Sequence, residues 1–326
     1  MELIIHTFGT SISKDYNSFV ISNQNGRKKL HCDGVTSIHI GKGVQITSDA
    51  IMLAIENEIE ILFIDKSGKN HGRVWSNKYG SLSTIRKGQL SFTTSKDAVE
   101  WIKTIITQKI LNQQALLLAI SSSASSGSNE VDKAVSRLED YIIKIKGLKY
   151  EHLHDISATI RGWEGNSSKI YFETFNLFLP ENYRFVIRSQ HPALDVVNAL
   201  LNYGYGILYG KIEGALIEAG IDPYIGVLHR DEYNRPVLVY DIIENYRVWV
   251  DYVVYHLVSQ NIITDEFYSV NKDGSYWLES LGRRIIIQSI NDYLDEVVEI
   301  DNVRRSRIIH LQLYCKQLAQ RFKSMK

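Results

Sequence analysis

DAVEWIKTIITQKILNQQALLLAI, residues 97–120, is the stretch that decides the fold. Its apolar residues recur every three or four positions, the period of a helix with one buried face. No segment before it keeps that period over such a length. Upstream, LIIHTF (3–8), SFVIS (18–22), TSIHIG (36–41) and EILFID (60–65) are short β-branched runs bounded by Gly, Asn, Asp or Ser, a pattern that predicts strands. NQNGRKK (23–29) adds an Asn-Gly hairpin signal. One helix interrupts the strands, where Ser48 can cap DAIMLAIENE (49–58).

Downstream of residue 97 the helical period continues. It runs through NEVDKAVSRLEDYIIKIKG (129–147), then over about 154–176, 191–219, 240–259, 285–298 and 303–323. All four prolines, Pro180, Pro192, Pro223 and Pro236, fall at boundaries of these segments, as their missing N–H demands. SSSASSGS (121–128) reads as a polar loop between two helices. The expected class is therefore α+β. A small N-terminal β-rich, β-sandwich-like domain would occupy 1–88, and a larger all-α domain 96–326, with a linker at about 80–95. A length of 326 residues agrees with two domains.

Bulk composition excludes several classes. There are 37 basic and 37 acidic residues, so whole-chain charge carries no polyanion signal and any such surface must be local. From Lys66 to Lys87 the chain holds Lys66, Lys69, Arg73, Lys78, Arg86 and Lys87 without an acid, with Trp75 and Tyr79 between them. That mix suits phosphate contact plus base stacking, and equally a solvated linker. Cys32 and Cys315 have no metal or redox spacing, which fits a reducing compartment. The start MELIIHTFG has no basic n-region, and no run approaches the roughly 18 apolar residues of a membrane span, so the expectation is a cytoplasmic protein with no membrane.

The candidate chemistry lies in the helical half. A helix over 240–259 would put Asp241 and Glu244 on one face. Two acids so close repel unless a cation sits between them or solvent reaches both. They could be an exposed edge with Arg247 paired to Glu244, or ligands of a cation. By the repulsion argument, Asp241→Asn should leave stability intact or raise it. His229, in a polar break, is either a structural imidazole or a ligand; with two carboxylates it would suit Mg²⁺ or Mn²⁺. Glu164 is either a helix-surface acid beside Arg161 or Lys169, or a third ligand. Gly206, Gly210 and Gly214 recur every four residues, which predicts a smooth helix face for close packing.

At this point a resemblance emerges. LYGKIEGALIEAGIDPYIGVLHRDEYNRPVLVYDIIENYR (208–247) resembles the signature region of the CRISPR-associated adaptation integrases, the Cas-one family. That region has a Tyr-Gly helix, an aGxxPxxGxxH segment and an apolar D-x-x-E/D helix. RGWEGNSSKIYF (161–172) resembles the family's Arg-x-x-Glu-Gly helix, and SDAIMLAIENEIEILFIDKSG (48–68) the helix and strand that close its β-domain. The resemblance spans essentially the whole chain. It implies a metal-dependent DNA endonuclease and integrase that inserts spacers into a CRISPR array, by attack of a DNA 3′-hydroxyl on a phosphodiester. It implies Mg²⁺ or Mn²⁺ as cofactor, and double-stranded DNA, both protospacer and repeat, as substrate. It implies a homodimer formed through the β-domains and a Cas-two partner protein. Carried over by position, Glu164, His229 and Glu244 match the metal ligands, Asp241 the supporting acid, and Tyr209 a tyrosine near the active site. A non-catalytic DNA-binding scaffold, or a different metal-dependent nuclease, would carry much of the same pattern.

Overall fold

The computed structural model describes residues 2–35, 37–57, 59–65, 70–74, 82–122, 127–150, 152–229 and 235–325. It divides into two compact units, 1–80 and 81–326. The first unit contains β1 (Glu2–Ile5), β2 (Ser11–Asp15), β3 (Ser18–Asn23), β4 (Gly26–His31), β5 (Ser37–Ile40), β6 (Gln45–Ile46), α1 (Ser48–Glu56), β7 (Glu60–Ile64) and β8 (Asn70–Arg73). One four-stranded sheet has the order β1-β5-β7-β8, with β8 antiparallel at its edge. The other has the order β4-β3-β2-β6. Register builds the core: Leu3 lies opposite Ile38 and Ile38 opposite Ile61, a row of buried side chains on one face. Ile12 and Phe19 from the second sheet join them, as do Ala50, Leu53 and Ala54 from α1.

Two local details differ from the sequence reading. The cap of α1 is Thr47, not Ser48: Thr47 is extended and its Oγ1 accepts from Ala50 N–H at 3.3 Å. The β3–β4 hairpin turns at Gln24 and Asn25, with Asn23 opposite Gly26, so the Asn-Gly pair sits one residue past the expected turn centre.

The second unit holds α2 (Leu82–Thr93), α3 (Lys96–Ser122), α4 (Ser128–Gly147), α5 (Leu153–Leu177), α6 (Val196–Glu218), α7 (Val237–Ile243), α8 (Arg247–Ser259), β9 (Tyr268–Val270), β10 (Tyr276–Leu278), α9 (Ser280–Asp295), β11 (Val297–Ile300), β12 (Val303–Ser306) and α10 (Arg307–Ser324). It is helical but not all-α, because β9–β10 and β11–β12 form two short hairpins. The second turns on Asp301 and Asn302, both at positive φ (51° and 62°), the geometry of a tight hairpin turn that the sequence reading did not register. Asp195 caps α6 by accepting from Asn198 N–H at 2.7 Å, so that helix starts five residues later than expected. The segment read as one helix over 240–259 is two. Asn112 of α3 donates to the Asn245 carbonyl at 2.9 Å, and the chain closes locally through Tyr246 N–H to Ile243 O, so α8 starts afresh at Arg247.

Residues read as a linker, about 80–95, include a full helix. In α2 the Phe92 ring packs on Trp101 (5.9 Å) and Phe322 (5.1 Å). Gln89, fully buried, donates to the carbonyls of Asp222 and Ile225 and accepts from Asp222 N–H. The glycine face also differs. A Cβ on Gly206 or Gly210 would meet nothing within 4 Å, whereas one on Gly204 would press on Val250 and Ile290. At Gly206 and Gly210 the expected close approach is absent, and Gly204, outside the four-residue repeat, makes one instead.

Gly88 tests the docking of α2. A Cβ there would collide with the backbone carbonyl of Phe322 on α10. In a free linker helix Gly88→Ala would stabilise by about 1 kcal/mol. Against a fixed backbone it should destabilise by about 1–3 kcal/mol. Urea unfolding of the variant reads the sign directly.

Candidate active site

Helices α3, α5 and α7 converge on a small group of charges, with Lys109 and Glu244 buried and Glu164 half-buried. Lys109 comes from α3, Glu164 from α5, and Glu244 from the C-cap position that closes α7. The Lys109 ammonium hydrogen-bonds Glu164 Oε1 and lies 2.5 Å from Glu244 Oε2. Lys109 is only 5% exposed at its side chain and Glu244 only 8%. Arg247, three residues on, donates from Nε to Glu244 Oε1 at 2.8 Å. Ser168 Oγ donates to Glu164 Oε1 at 3.0 Å. Burial alone would raise the Glu244 pKa, but the charges of Arg247 and Lys109 overcome it and bring it down to about 2. Burial likewise opposes the Lys109 charge, and the two carboxylates outweigh burial and raise its pKa.

A second cluster adjoins the first through α7. Asp241 is wholly buried and accepts four hydrogen bonds. Oδ2 takes Val227 N–H at 2.7 Å and Leu228 N–H at 3.2 Å; Oδ1 takes His229 N–H at 3.0 Å and meets His229 Nδ1 at 2.8 Å. One carboxylate therefore folds the 227–229 turn and orients the imidazole, leaving Nε2 as the ring nitrogen that can ligate. Gly226 permits the turn, because a Cβ there would strike the His229 carbonyl. Arg161 Nη2 donates to the Leu228 carbonyl at 2.6 Å, tying α5 to the same turn. Burial pulls the His229 pKa down, but the hydrogen bond and charge of Asp241, with the charge of Glu244, leave it raised.

Asp241 and Glu244 are not on a wet edge; both are buried, and they face different partners. Glu164 pairs with Lys109, while Arg161 serves the His229 turn and Lys169 lies 3.9 Å from Glu173. Tyr209 donates to the Pro236 carbonyl at 3.1 Å, and its ring packs 5.0 Å from Tyr240, which lies 5.9 Å from His229. Tyr209 thus reaches the centre through one intervening ring. Of the expected basic stretch, Lys66, Lys69 and Lys78, with Trp75 and Tyr79, lie outside the described residues. Arg73 pairs with Glu60 at 2.5 Å, Arg86 is half-buried in α2, and Lys87 is exposed.

The donor set fits a divalent cation. Glu164, Glu244 and His229 offer two carboxylates and an imidazole, a set that suits such an ion, with Glu244 Oε2 buried and met by the Lys109 ammonium. Their ligand atoms do not close as a trio within 4.8 Å; among the described residues only His31, Cys32 and Asp33 do, and those three are consecutive in one tight turn. Lys109 is the site residue that the sequence reading missed. Its signal was a lysine inside the apolar stripe of α3, between the buried Ile105, Ile106 and Ile110.

The fold and the site together define a two-unit α+β protein whose helical unit holds a carboxylate–imidazole centre suited to a divalent cation. The chain belongs to the CRISPR associated protein Cas1 family, which it matches over residues 3–292. CRISPR-associated endonuclease Cas1 1 of Archaeoglobus fulgidus is 31% identical over 308 residues, covering 90% of this chain and 88% of that protein. Two solved structures share the fold at 22% identity and cover 100% of this chain. A casposase bound to integration product has a TM-score of 0.82 and is 91% covered. A chain of a Cas6-RT-Cas1–Cas2 complex has a TM-score of 0.78, and this chain spans 35% of it. Among the described residues no helix is long and apolar enough to cross a membrane.

The geometry at Asp241 reverses the repulsion argument. Asp241→Asn would turn an amide N–H toward backbone donors that now meet a carboxylate. It should cost about 2–4 kcal/mol, since a buried charge-assisted bond is lost and a donor stranded. Because the His229 pKa is raised on folding, its protonation adds stability in full below about pH 6.5, lost as pH rises through the folded value. The variant should lower the His229 midpoint in an NMR titration. Unchanged stability and midpoint would refute the role given to Asp241.

Proposed function

We propose that this chain is a metal-dependent DNA endonuclease and integrase of CRISPR adaptation. It would join the 3′-hydroxyl ends of spacer DNA to the CRISPR repeat by transesterification. The attacking 3′-oxygen loses its proton and forms a new bond to phosphorus, and the 3′-oxygen of the strand being cut leaves and takes up a proton, so no net proton is gained or lost. The observation that carries this reading is the convergence of Glu164 and Glu244 on one positive charge, beside an imidazole that Asp241 orients. Glu164, Glu244 and His229 would hold Mg²⁺ or Mn²⁺, which when bound would supply Lewis-acid activation of the hydroxyl and positive charge against the developing phosphorane. Asp241 would act through His229, fixing its tautomer and angle. Tyr209, kept protonated by burial and by the Tyr240 hydroxyl, would supply packing against the His229 side of the centre.

Partners belong to the same proposal. Family membership, together with the casposase and Cas1–Cas2 folds it shares, supports double-stranded DNA and a Cas2 protein as partners. Lys66, Lys69, Arg73, Lys78, Arg86 and Lys87 are proposed to contact phosphates; such contacts weaken every duplex alike as salt rises. Among those described, Lys87 has the most exposed position. A homodimer joined through the β-rich unit is proposed too, and a monomeric mass in light scattering would remove it.

The test is a strand-transfer assay with Mn²⁺ or Mg²⁺, with and without the Cas2 partner, on a repeat-bearing plasmid. Duplexes with free 3′ ends should be joined, and duplexes with blocked ends should not. Glu164→Ala, His229→Ala and Glu244→Ala should each lower yield by about 100-fold or more while still binding DNA, as expected when a metal ligand is lost. Integration at wild-type yield by folded Glu164→Ala protein would sink the assignment. Absence of joining by the wild type, with DNA binding intact, would favour the scaffold reading.

A further inference from the structure

We propose that Lys109 is the built-in counter-cation of the carboxylate pair, and that it sets the affinity of the centre by competing with a divalent cation for Glu164 and Glu244. The inference rests on the metal-centre reading above. Its basis is geometric. A single ammonium, almost wholly buried, meets Glu164 Oε1 and Glu244 Oε2 at once. Those two oxygens belong to two of the three ligands that a divalent cation would use.

The charges give the consequence. Glu164 and Glu244 contribute two negative charges, Lys109 and Arg247 two positive ones, so the buried group is neutral as built. Arg247 holds Oε1 of Glu244, while Lys109 holds Oε2 and spans to Glu164. A cation of charge two that enters between the carboxylates must push the ammonium from both oxygens, and it meets that ammonium's repulsion as it does so. Without Lys109 the same group carries one net negative charge. It then attracts a divalent cation more strongly, and it is poorly compensated when no cation is bound. Lys109 is thus a positioning residue. It keeps α3, α5 and α7 together around the acids and gives up its place when the cation arrives.

The experiment uses the full chain, with Mn²⁺ affinity read by calorimetry or electron paramagnetic resonance, and melting measured in chelator and in Mn²⁺. Lys109→Met should bind Mn²⁺ on the order of tenfold more tightly, because a like charge has left the site. It should also melt about 10 °C lower than wild type in chelator, the usual result of breaking a buried ion pair, and regain most of that loss in Mn²⁺. Lys109→Gln, which keeps an N–H donor without the charge, should show the affinity gain with a smaller melting loss, and it serves if Lys109→Met does not fold. Lys109→Arg should stay near wild type on both measures. Unchanged or weaker Mn²⁺ binding in Lys109→Gln, or a melting loss in Lys109→Met that Mn²⁺ does not restore, overturns the inference. Glu164→Gln separates the two levels: if it binds Mn²⁺ as the wild type does, the metal-centre reading itself fails; if it loses binding while the Lys109 variants do not change, only the inference fails.

Discussion

Buried carboxylates need compensating charge, and the helical unit is organised around that need. Taking an ion out of water costs several kcal/mol unless partners replace the lost hydration. Glu244 meets Lys109 on one oxygen and Arg247 on the other, and Glu164 shares the same ammonium. Those four residues come from α3, α5, the C-cap of α7 and the start of α8. None of the four helices can slide along its neighbours without uncovering a charge. The break between α7 and α8 belongs to the same arrangement, because it sets Glu244 at the end of one helix and Arg247 at the start of the next.

The same principle repeats one layer deeper. Asp251 of α8 is fully buried and accepts from the hydroxyls of Tyr171 on α5 and Tyr205 on α6. Burial lifts its pKa to about 6, against the opposing pull of those hydroxyls and of Arg188 and Arg247. The Arg247 guanidinium lies 4.7 Å from the centre of the Tyr205 ring, a cation–π contact beside its pairing with Glu244. The hydroxyl and guanidinium contacts thus form a continuous path from Asp251 through Tyr205 and Arg247 to Glu244. Asp241 plays the corresponding part for the imidazole, with its oxygens spent on the 227–229 turn that α2 supports from behind through Gln89 and Asp222.

How far the sequence could be read depends on the kind of signal each element carries. Strands β1, β3, β5 and β7 and helices α3, α4 and α5 announce themselves through period and composition and formed near the expected places, whereas β2, β6 and β8 carry no such run and were not expected. Helix α2 did not, because its sequence, LSTIRKGQLSFT, is polar, short and broken by Gly88. Its place comes from Phe92 and Gln89 finding partners on α10 and the 222–225 turn, more than 130 positions away. Gly206 and Gly210 of α6 misled for the converse reason. Spacing along a helix says which residues share a face, while only the neighbour decides which face is crowded, and that neighbour presses on Gly204.

For the site, the chain alone determined the cast: two acids three apart, a histidine behind a glycine turn, a distant Glu164, and the family pattern that joins them. Residue type and spacing suffice for that, since donor chemistry is a property of the side chain. Tertiary structure decided the pairings. It set Asp241 facing inward to the 227–229 turn and Glu244 facing α3, although the two are one helical turn apart. It brought Lys109, 55 positions before Glu164, between the two carboxylates. Coulomb energy in a buried site depends on separations of a few ångströms and on the loss of solvent screening. Neither quantity exists along the chain until the helices have packed.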